Sequence, residues 1–171
     1  FLGPDAFITL AEGAGLIGPL THWVLRTALT QLAALHQRGH RLTMAVNLSA
    51  RNLRDLELPA SVGALLACSG VAARDLTLEI TESAVMANPG EGLTTLAELD
   101  RMGVKLAIDD FGTGYSSLAY LKRLPVDELK IDKSFVMDMA HSESDAVIVR
   151  STIDLGHNLG LGVVAEGVET L

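Results

Sequence analysis

Residues 104–118 read Val-Lys-Leu-Ala-Ile-Asp-Asp-Phe-Gly-Thr-Gly-Tyr-Ser-Ser-Leu, a short apolar run that ends in two aspartates and continues into a glycine-rich turn. A run of this kind indicates a buried strand. Similar runs occupy residues 42–48, 76–80, 128–131 and 162–165. Segments with the helical spacing of apolar residues lie between these runs and before the first, so the sequence predicts βα units and a parallel sheet.

The helices are predicted from apolar spacing and from the residues that bound them. They cover residues 4–16, 20–37, 53–68, 92–102, 117–123 and 145–159. Residues typical of helix ends agree with these bounds: Gly39, Gly70, Gly103 and Gly160 at carboxyl ends, and Pro89 and Ser142 at amino ends. Five strands fit an open doubly wound sheet or an incomplete eight-stranded barrel, which typically takes about 250 residues.

Composition limits the classes of function. The chain has 171 residues, 49% of them hydrophobic, and can bury a substantial core. Its formal charge of −8 argues against a general affinity for DNA, RNA or an anionic membrane. No apolar run approaches the roughly 18 residues of a membrane span, and the single Cys68 cannot form an internal disulfide. A cytoplasmic location fits, including the cytoplasmic part of a membrane-bound protein.

Polar residues stand at the end of every apolar run. They are Asn47, Glu79, Asp109, Asp110, Lys130, Asp132 and Glu166. Because the carboxyl ends of parallel strands meet at one edge, these side chains are expected to converge on one pocket. Taken singly, each acid is better explained by a helix cap or a solvated loop.

Converging carboxylates repel one another unless a cation lies between them, so the pattern predicts a metal site. Oxygen donors without Cys or His suit Mg²⁺ or Mn²⁺ better than zinc. The adjacent Asp109 and Asp110 suggest two ions about 3.5–4 Å apart, able to promote in-line attack on a phosphodiester, provided that the backbone bends where the strand ends. Lys130 would orient the attacking water or form a plain salt bridge to one of the acids.

Five motifs together resemble the EAL domain, the bacterial phosphodiesterase module for cyclic di-GMP. They are Asn-Leu-Ser-Ala-Arg at 47–51, Leu-Glu-Ile-Thr-Glu-Ser at 78–83, Ile-Asp-Asp-Phe-Gly-Thr-Gly-Tyr-Ser-Ser-Leu at 108–118, Leu-Lys-Ile-Asp at 129–132 and Ala-Glu-Gly-Val-Glu-Thr at 165–170. The resemblance implies an α/β fold, a TIM-like (β/α)8 barrel with one antiparallel strand. It also implies hydrolysis of cyclic di-GMP to the linear dinucleotide pGpG with Mg²⁺ or Mn²⁺, as one or two ions, and a possible homodimer.

Site residues carry over from the family motifs by position. The implied metal ligands are Asn47, Glu79, Asp109, Asp110 and Glu166. Lys130 matches the residue that positions the attacking water, and Glu82 matches the glutamate that anchors the glycine-rich turn. Substrate-binding roles are implied for Arg51, Asp132 and Glu169. The Glu-Ala-Leu signature and a last strand are not in the sequence, so a single EAL-type domain, residues 1–171, truncated at both ends, is expected.

Two other functions remain open at this point. The first is an EAL-like receptor that binds cyclic di-GMP or a protein without catalysis. The second is an aldolase-type reaction in which Lys130 forms a Schiff base, although neighbouring acids would keep that lysine protonated.

Overall fold

The computed structural model describes residues 3–87, 90, 92–114 and 118–168. Eight α-helices and five strands are described in these residues: α1 (Pro4–Gly13), α2 (Ile17–Gln37), β1 (Met44–Leu48), α3 (Leu58–Ser69), β2 (Leu76–Thr81), α4 (Glu82–Ala87), α5 (Leu93–Arg101), β3 (Lys105–Phe111), α6 (Leu118–Leu121), β4 (Glu128–Ile131), α7 (Lys133–Asp138), α8 (Glu143–Asn158) and β5 (Gly162–Ala165). Short 3-10 helices at Asn52–Arg54 and Ala73–Asp75 precede α3 and β2.

The five strands form one sheet in the order β1-β2-β3-β4-β5, and every neighbouring pair is parallel. Chain order and spatial order therefore coincide, as they do around a (β/α)8 barrel. The α/β fold with an incomplete TIM-like barrel is confirmed. The antiparallel strand implied by the family resemblance is not one of these five strands.

The core lies between the sheet and the helices. Alternate strand residues such as Leu78, Ile108 and Leu129 are completely buried, and α2 contributes Leu25 and Leu29 at helical spacing. Burial of each such side chain contributes about 1.5–3 kcal/mol. The other face of the strands carries the polar residues, because successive side chains on a strand point to opposite sides.

Most predicted elements are confirmed with shifted ends, and one predicted helix is confirmed only from residue 58 onward. The helix predicted for residues 53–68 is a 3-10 turn followed by α3, because Asp55 adopts an extended conformation and its carboxylate accepts the Glu57 N–H at 2.9 Å. The first strand begins at Met44, and Leu42 is in an exposed loop.

The helix ends agree with the prediction where the structure describes them. The helix-terminating glycines all have positive φ, for example Gly70 at 71°. The Ser142 side chain caps α8 by accepting the Asp145 N–H at 3.3 Å. Pro89 lies outside the described residues.

Candidate functional site

Strand register places the predicted polar residues at one edge. Asn47 is paired with Glu79, whereas Asp109 is paired with Thr81, two residues beyond Glu79, so the polar residues lie near the same end of neighbouring strands. Lys130 on β4 is paired with Val164 on β5, two residues before Glu166. Glu79 and Asp109 are each only 9% exposed, so these carboxylates are largely withdrawn from water.

Three carboxylates lie close enough to share a cation. Oxygen atoms of Asp109, Asp110 and Glu166 all lie within 4.8 Å of one another. Glu166 lies more than fifty positions after the adjacent Asp109 and Asp110 in the sequence, and the parallel sheet brings it to them. The predicted convergence of these three acids is therefore observed.

Lys130 links Glu79 to this cluster of acids. Its Nζ atom lies 2.6 Å from Glu166 Oε1, 2.9 Å from Asp109 Oδ1 and 3.0 Å from Glu79 Oε1. Burial opposes the charged form, but hydrogen bonds to Glu166, Asp109 and Glu79 outweigh it and hold the pKa of the Lys130 ammonium above its usual range. A lysine held protonated in this way is a poor nucleophile, which argues against the Schiff-base hypothesis.

The backbone bends at the paired aspartates, as both carboxylates require. Asp110 has a φ of 54°, the only positive φ described outside glycine, and the β3–β4 register shifts between Ile108 and Phe111. This bulge turns Asp110 to the same side as Asp109 instead of the opposite face. Burial raises the pKa of the Asp110 carboxyl, and the nearby charges of Asp109, Asp132 and Glu166 raise it further.

Glu82 holds the turn that follows the paired aspartates. Its Oε2 atom accepts the N–H of Gly112 at 2.8 Å and the N–H of Gly114 at 3.3 Å. A Cβ atom on Gly114 would lie 3.1 Å from Glu82 Oε1, so glycine permits this close approach. The anchoring position implied for Glu82 is the one that it takes. Tyr115, Ser116 and Ser117 of the same turn lie outside the described residues.

Two of the three residues with implied substrate roles, Asp132 and Arg51, contact other parts of the chain. Asp132 caps α7, since its carboxylate accepts the Ser134 N–H at 2.9 Å and also the Ser134 hydroxyl. The bond from the hydroxyl, supported by the bond from the N–H, lowers the pKa of the Asp132 carboxyl. The Arg51 guanidinium donates to the main-chain oxygen of Glu12 at the end of α1. Glu169 lies outside the described residues.

A buried polar contact behind the Asn47 turn was not predicted. Asn52 Oδ1 accepts the Ser49 N–H at 3.0 Å and the Thr21 hydroxyl of α2, also at 3.0 Å. Asn52 is 3% exposed and Thr21 is 6% exposed. The available signal was a second asparagine five residues after Asn47, but its partner on α2 is thirty-one residues away.

A cavity of about 940 Å³ opens beside the acids. Asn47, Asp109 and Asp110 line its polar end, and apolar residues of α1 and α2, including Phe7 and Trp23, line the rest. Such a volume falls within the range of about 300–1,000 Å³ typical of small-molecule sites. The edge therefore combines a carboxylate cluster, a protonated lysine and space for a ligand.

The family model described as "EAL domain" matches residues 1–171. The chain belongs to the EAL domain family. EAL phosphodiesterases are metal-dependent, and the carboxylate cluster is consistent with that property. Within the described residues, no helix combines the length and apolar character needed to cross a membrane.

Two curated relatives come from Pseudomonas aeruginosa. The chain is 52% identical over 170 residues to the cyclic di-GMP phosphodiesterase NbdA, covering 99% of this chain and 22% of that protein. It is 46% identical over 168 residues to MucR, named as a bifunctional diguanylate cyclase and cyclic di-GMP phosphodiesterase, covering 98% of this chain and 24% of MucR. The EAL chain thus spans less than a quarter of either relative's length.

A solved structure of similar shape is the PaMucR phosphodiesterase in complex with c-di-GMP. It superposes with a TM-score of 0.93 at 46% identity and covers 99% of this chain and 69% of that one.

Proposed function

We propose that this EAL domain hydrolyses cyclic di-GMP to pGpG with Mg²⁺ or Mn²⁺. The observation that carries the proposal is the placement of Asp109, Asp110 and Glu166 oxygens within 4.8 Å of one another. The names of the two Pseudomonas relatives and the c-di-GMP complex of the similar structure give further support. The proposal includes a cytoplasmic location, with which the free Cys68 is compatible.

The donor set fits one or two hard divalent cations. Carboxylate oxygens dominate it, and Asn47 supplies an amide oxygen on the strand next to Glu79. Asn47, Glu79, Asp109, Asp110 and Glu166 would hold the metal. When bound there, the metal supplies Lewis-acid polarisation of a phosphodiester oxygen. The positive φ of Asp110 serves this arrangement by directing the second aspartate into the site.

Lys130 contributes positive charge and proton donors. Its ammonium contacts three acids and remains protonated, so it can orient a water molecule or offset negative charge on a phosphate. Its small exposed fraction, 12% of the side chain, limits competition from bulk water. We assign it the water-positioning role in the proposed reaction.

Glu82 acts through the backbone in this proposal. By accepting the N–H groups of Gly112 and Gly114, its carboxylate fixes the turn directly after Asp110. Holding this turn also holds the Asp110 side chain in the orientation that the metal requires. Glu82 is therefore proposed as a positioning residue for the metal site.

The substrate contacts belong to the proposal as well. Arg51 lies immediately after the cavity-lining residues Ser49 and Ala50, and we propose that it meets a phosphate at the rim. Asp132 borders Asp110 and would act on the substrate indirectly. Glu169 retains its proposed substrate role from the family motif alone.

The test is product analysis on the protein that carries this chain, at its full natural length. The protein is incubated with cyclic di-GMP and Mn²⁺, with and without chelator, and products are separated by chromatography. We expect pGpG with Mn²⁺ and none with excess chelator. Calorimetry that detects binding of cyclic di-GMP without pGpG in any metal condition would contradict the proposal and favour the receptor.

A further inference from the structure

A second cavity lies at the opposite edge of the sheet. It has a volume of about 390 Å³ and is lined by the residues that precede β1 and β2: His36, Gly39, His40, Arg41, Leu42, Thr43, Arg74 and Asp75. Along β2, the level of Asp109, which is paired with Thr81, lies five residue steps, about 16 Å, from Leu76 at this edge. None of these residues takes part in the proposed reaction.

Two arginines from different segments, Arg41 and Arg74, line the same cavity because of strand register. Met44 is paired with Leu76, Arg41 precedes Met44 by three residues, and Arg74 precedes Leu76 by two. Within the described residues, neither guanidinium has a hydrogen-bond or ion-pair partner. Arginine side chains usually find carboxylates, and this chain has 21 acids for 13 basic residues.

The same edge of the sheet offers a contrast. Lys105 at the start of β3 forms an ion pair with Asp127 just before β4. A basic residue at this edge can therefore be paired with an acid of the same chain. Asp75 is the single acid in the wall of the cavity, and it forms no ion pair with Arg41 or Arg74. Residues 36–43 contain no acid at all. The cavity therefore holds two guanidinium groups that are available to a ligand.

The walls that carry these arginines are braced by hydrogen bonds. His36 Nε2 donates to the Leu42 oxygen at 2.8 Å, and the His40 N–H donates to the Leu35 oxygen at 3.1 Å. On the other wall, the Asp75 N–H donates to the Ala72 oxygen at 2.9 Å. Because the backbone is already held in place by these hydrogen bonds, less conformational entropy is lost when a ligand binds.

We propose that this cavity, at the amino-terminal edge of the sheet, binds a phosphomonoester of a small organic molecule. Guanidinium groups match phosphate oxygens in a forked, charge-assisted geometry. The cavity is larger than a phosphate group alone requires, so we infer an organic body attached to it. Leu42, which is 52% exposed, offers that body an apolar contact, and Asp75 can accept a hydroxyl or amine proton from it.

The test measures binding by calorimetry with the full-length protein in the presence of chelator. The probes are inorganic phosphate, adenosine 5′-monophosphate and unphosphorylated adenosine. We expect the monophosphate to bind more tightly than inorganic phosphate, and adenosine not to bind. Arg41→Gln and Arg74→Gln should each raise the dissociation constant roughly tenfold or more.

Matched variants separate this cavity from the acidic edge. Arg150→Gln removes an exposed arginine of α8 that lines neither cavity and should leave binding unchanged. Asp109→Asn should also leave it unchanged, so a failure of the proposed hydrolysis does not affect this result. Circular dichroism checks that the arginine variants fold.

Three results with the phosphate probes would overturn the proposal. They are no binding of either phosphate probe at millimolar concentration, binding that persists in both arginine variants, and equal loss of binding in Arg150→Gln. Binding of an acidic peptide that depends on Arg41, without binding of the monophosphate, would also overturn it and would assign the surface to a protein partner.

Discussion

The two edges of the parallel sheet differ in the sign of their charged residues and in whether those residues form ion pairs. At the carboxyl edge, Lys130 contacts Glu79, Asp109 and Glu166, so the charges of the site are coupled to one another. At the amino edge, Arg41 and Arg74 share a cavity without partners among the described residues. Strand register brings residues that are distant in sequence to the same edge of the sheet. The charges around those residues then decide whether they form ion pairs with one another or remain available to a ligand.

Of the substitutions considered, Asp109→Asn at the carboxyl edge should reduce activity the most. The amide keeps the shape of the side chain but removes a negative ligand and a partner of Lys130. We expect hydrolysis of cyclic di-GMP to fall by roughly three orders of magnitude or more, measured as pGpG formed per unit time. Asp154→Asn, an exposed change on α8, is the matched control and should retain the rate. Full activity in Asp109→Asn would contradict the metal assignment.

Lys130→Met tests whether the acids depend on their single cation. Without the ammonium, three largely buried carboxylates lose their shared partner, and we expect a loss of unfolding free energy of about 3 kcal/mol in chelator. Added Mn²⁺ should restore part of the melting temperature without restoring hydrolysis. Lys122→Met, at an exposed position, controls for the loss of one lysine. A melting temperature equal to that of the wild type in chelator would show that the acids are not coupled through Lys130.

The sequence predicted those elements of the fold whose pattern of apolar residues was long enough to recognise. Apolar runs such as residues 104–108 identified all five strands, and their polar ends identified the correct edge. The helices α4 and α7 were missed because six residues are too few for periodicity, although Asp132 provides a cap for α7.

The predicted site was incomplete for a different reason. Sequence order could place Lys130 among acids, but only the folded chain shows that one ammonium contacts three of them. Likewise, Arg41 and Arg74 precede strands in segments that carry no motif, so their placement in one cavity follows from the pairing of Met44 with Leu76. Contacts set by tertiary register have no local signature in the sequence.

Thr21→Val probes the support behind the carboxyl edge. The change removes the hydroxyl that donates to Asn52 Oδ1 and so weakens the brace on the turn after Asn47. We expect a loss of about 1 kcal/mol of unfolding free energy and a weaker Mn²⁺ affinity. Thr30→Val on the same helix, where the hydroxyl bonds an exposed helical carbonyl, is the control. Unchanged Mn²⁺ affinity in Thr21→Val would limit this contact to stability.

The smallest effect concerns the ion pair at the amino edge. A hydrogen bond to Asp127, with its charge, raises the pKa of the exposed Lys105 ammonium in the folded state. The sign follows from linkage: this contribution is complete below the unfolded pKa of about 10.4 and is lost as pH rises through the folded value. Lys105→Met should therefore flatten the decline of stability in denaturant titrations above about pH 10. An identical decline in the variant would assign it to other groups.

We propose that acids from separate strands meet around a divalent cation at one edge of the sheet. The most direct measurement is Mn²⁺ binding followed by electron paramagnetic resonance in the wild type, Asp109→Asn, Glu166→Gln and Arg41→Gln. We predict that both acid variants bind Mn²⁺ at least about tenfold more weakly, whereas Arg41→Gln binds it as the wild type does. Wild-type Mn²⁺ affinity in both acid variants would contradict the account.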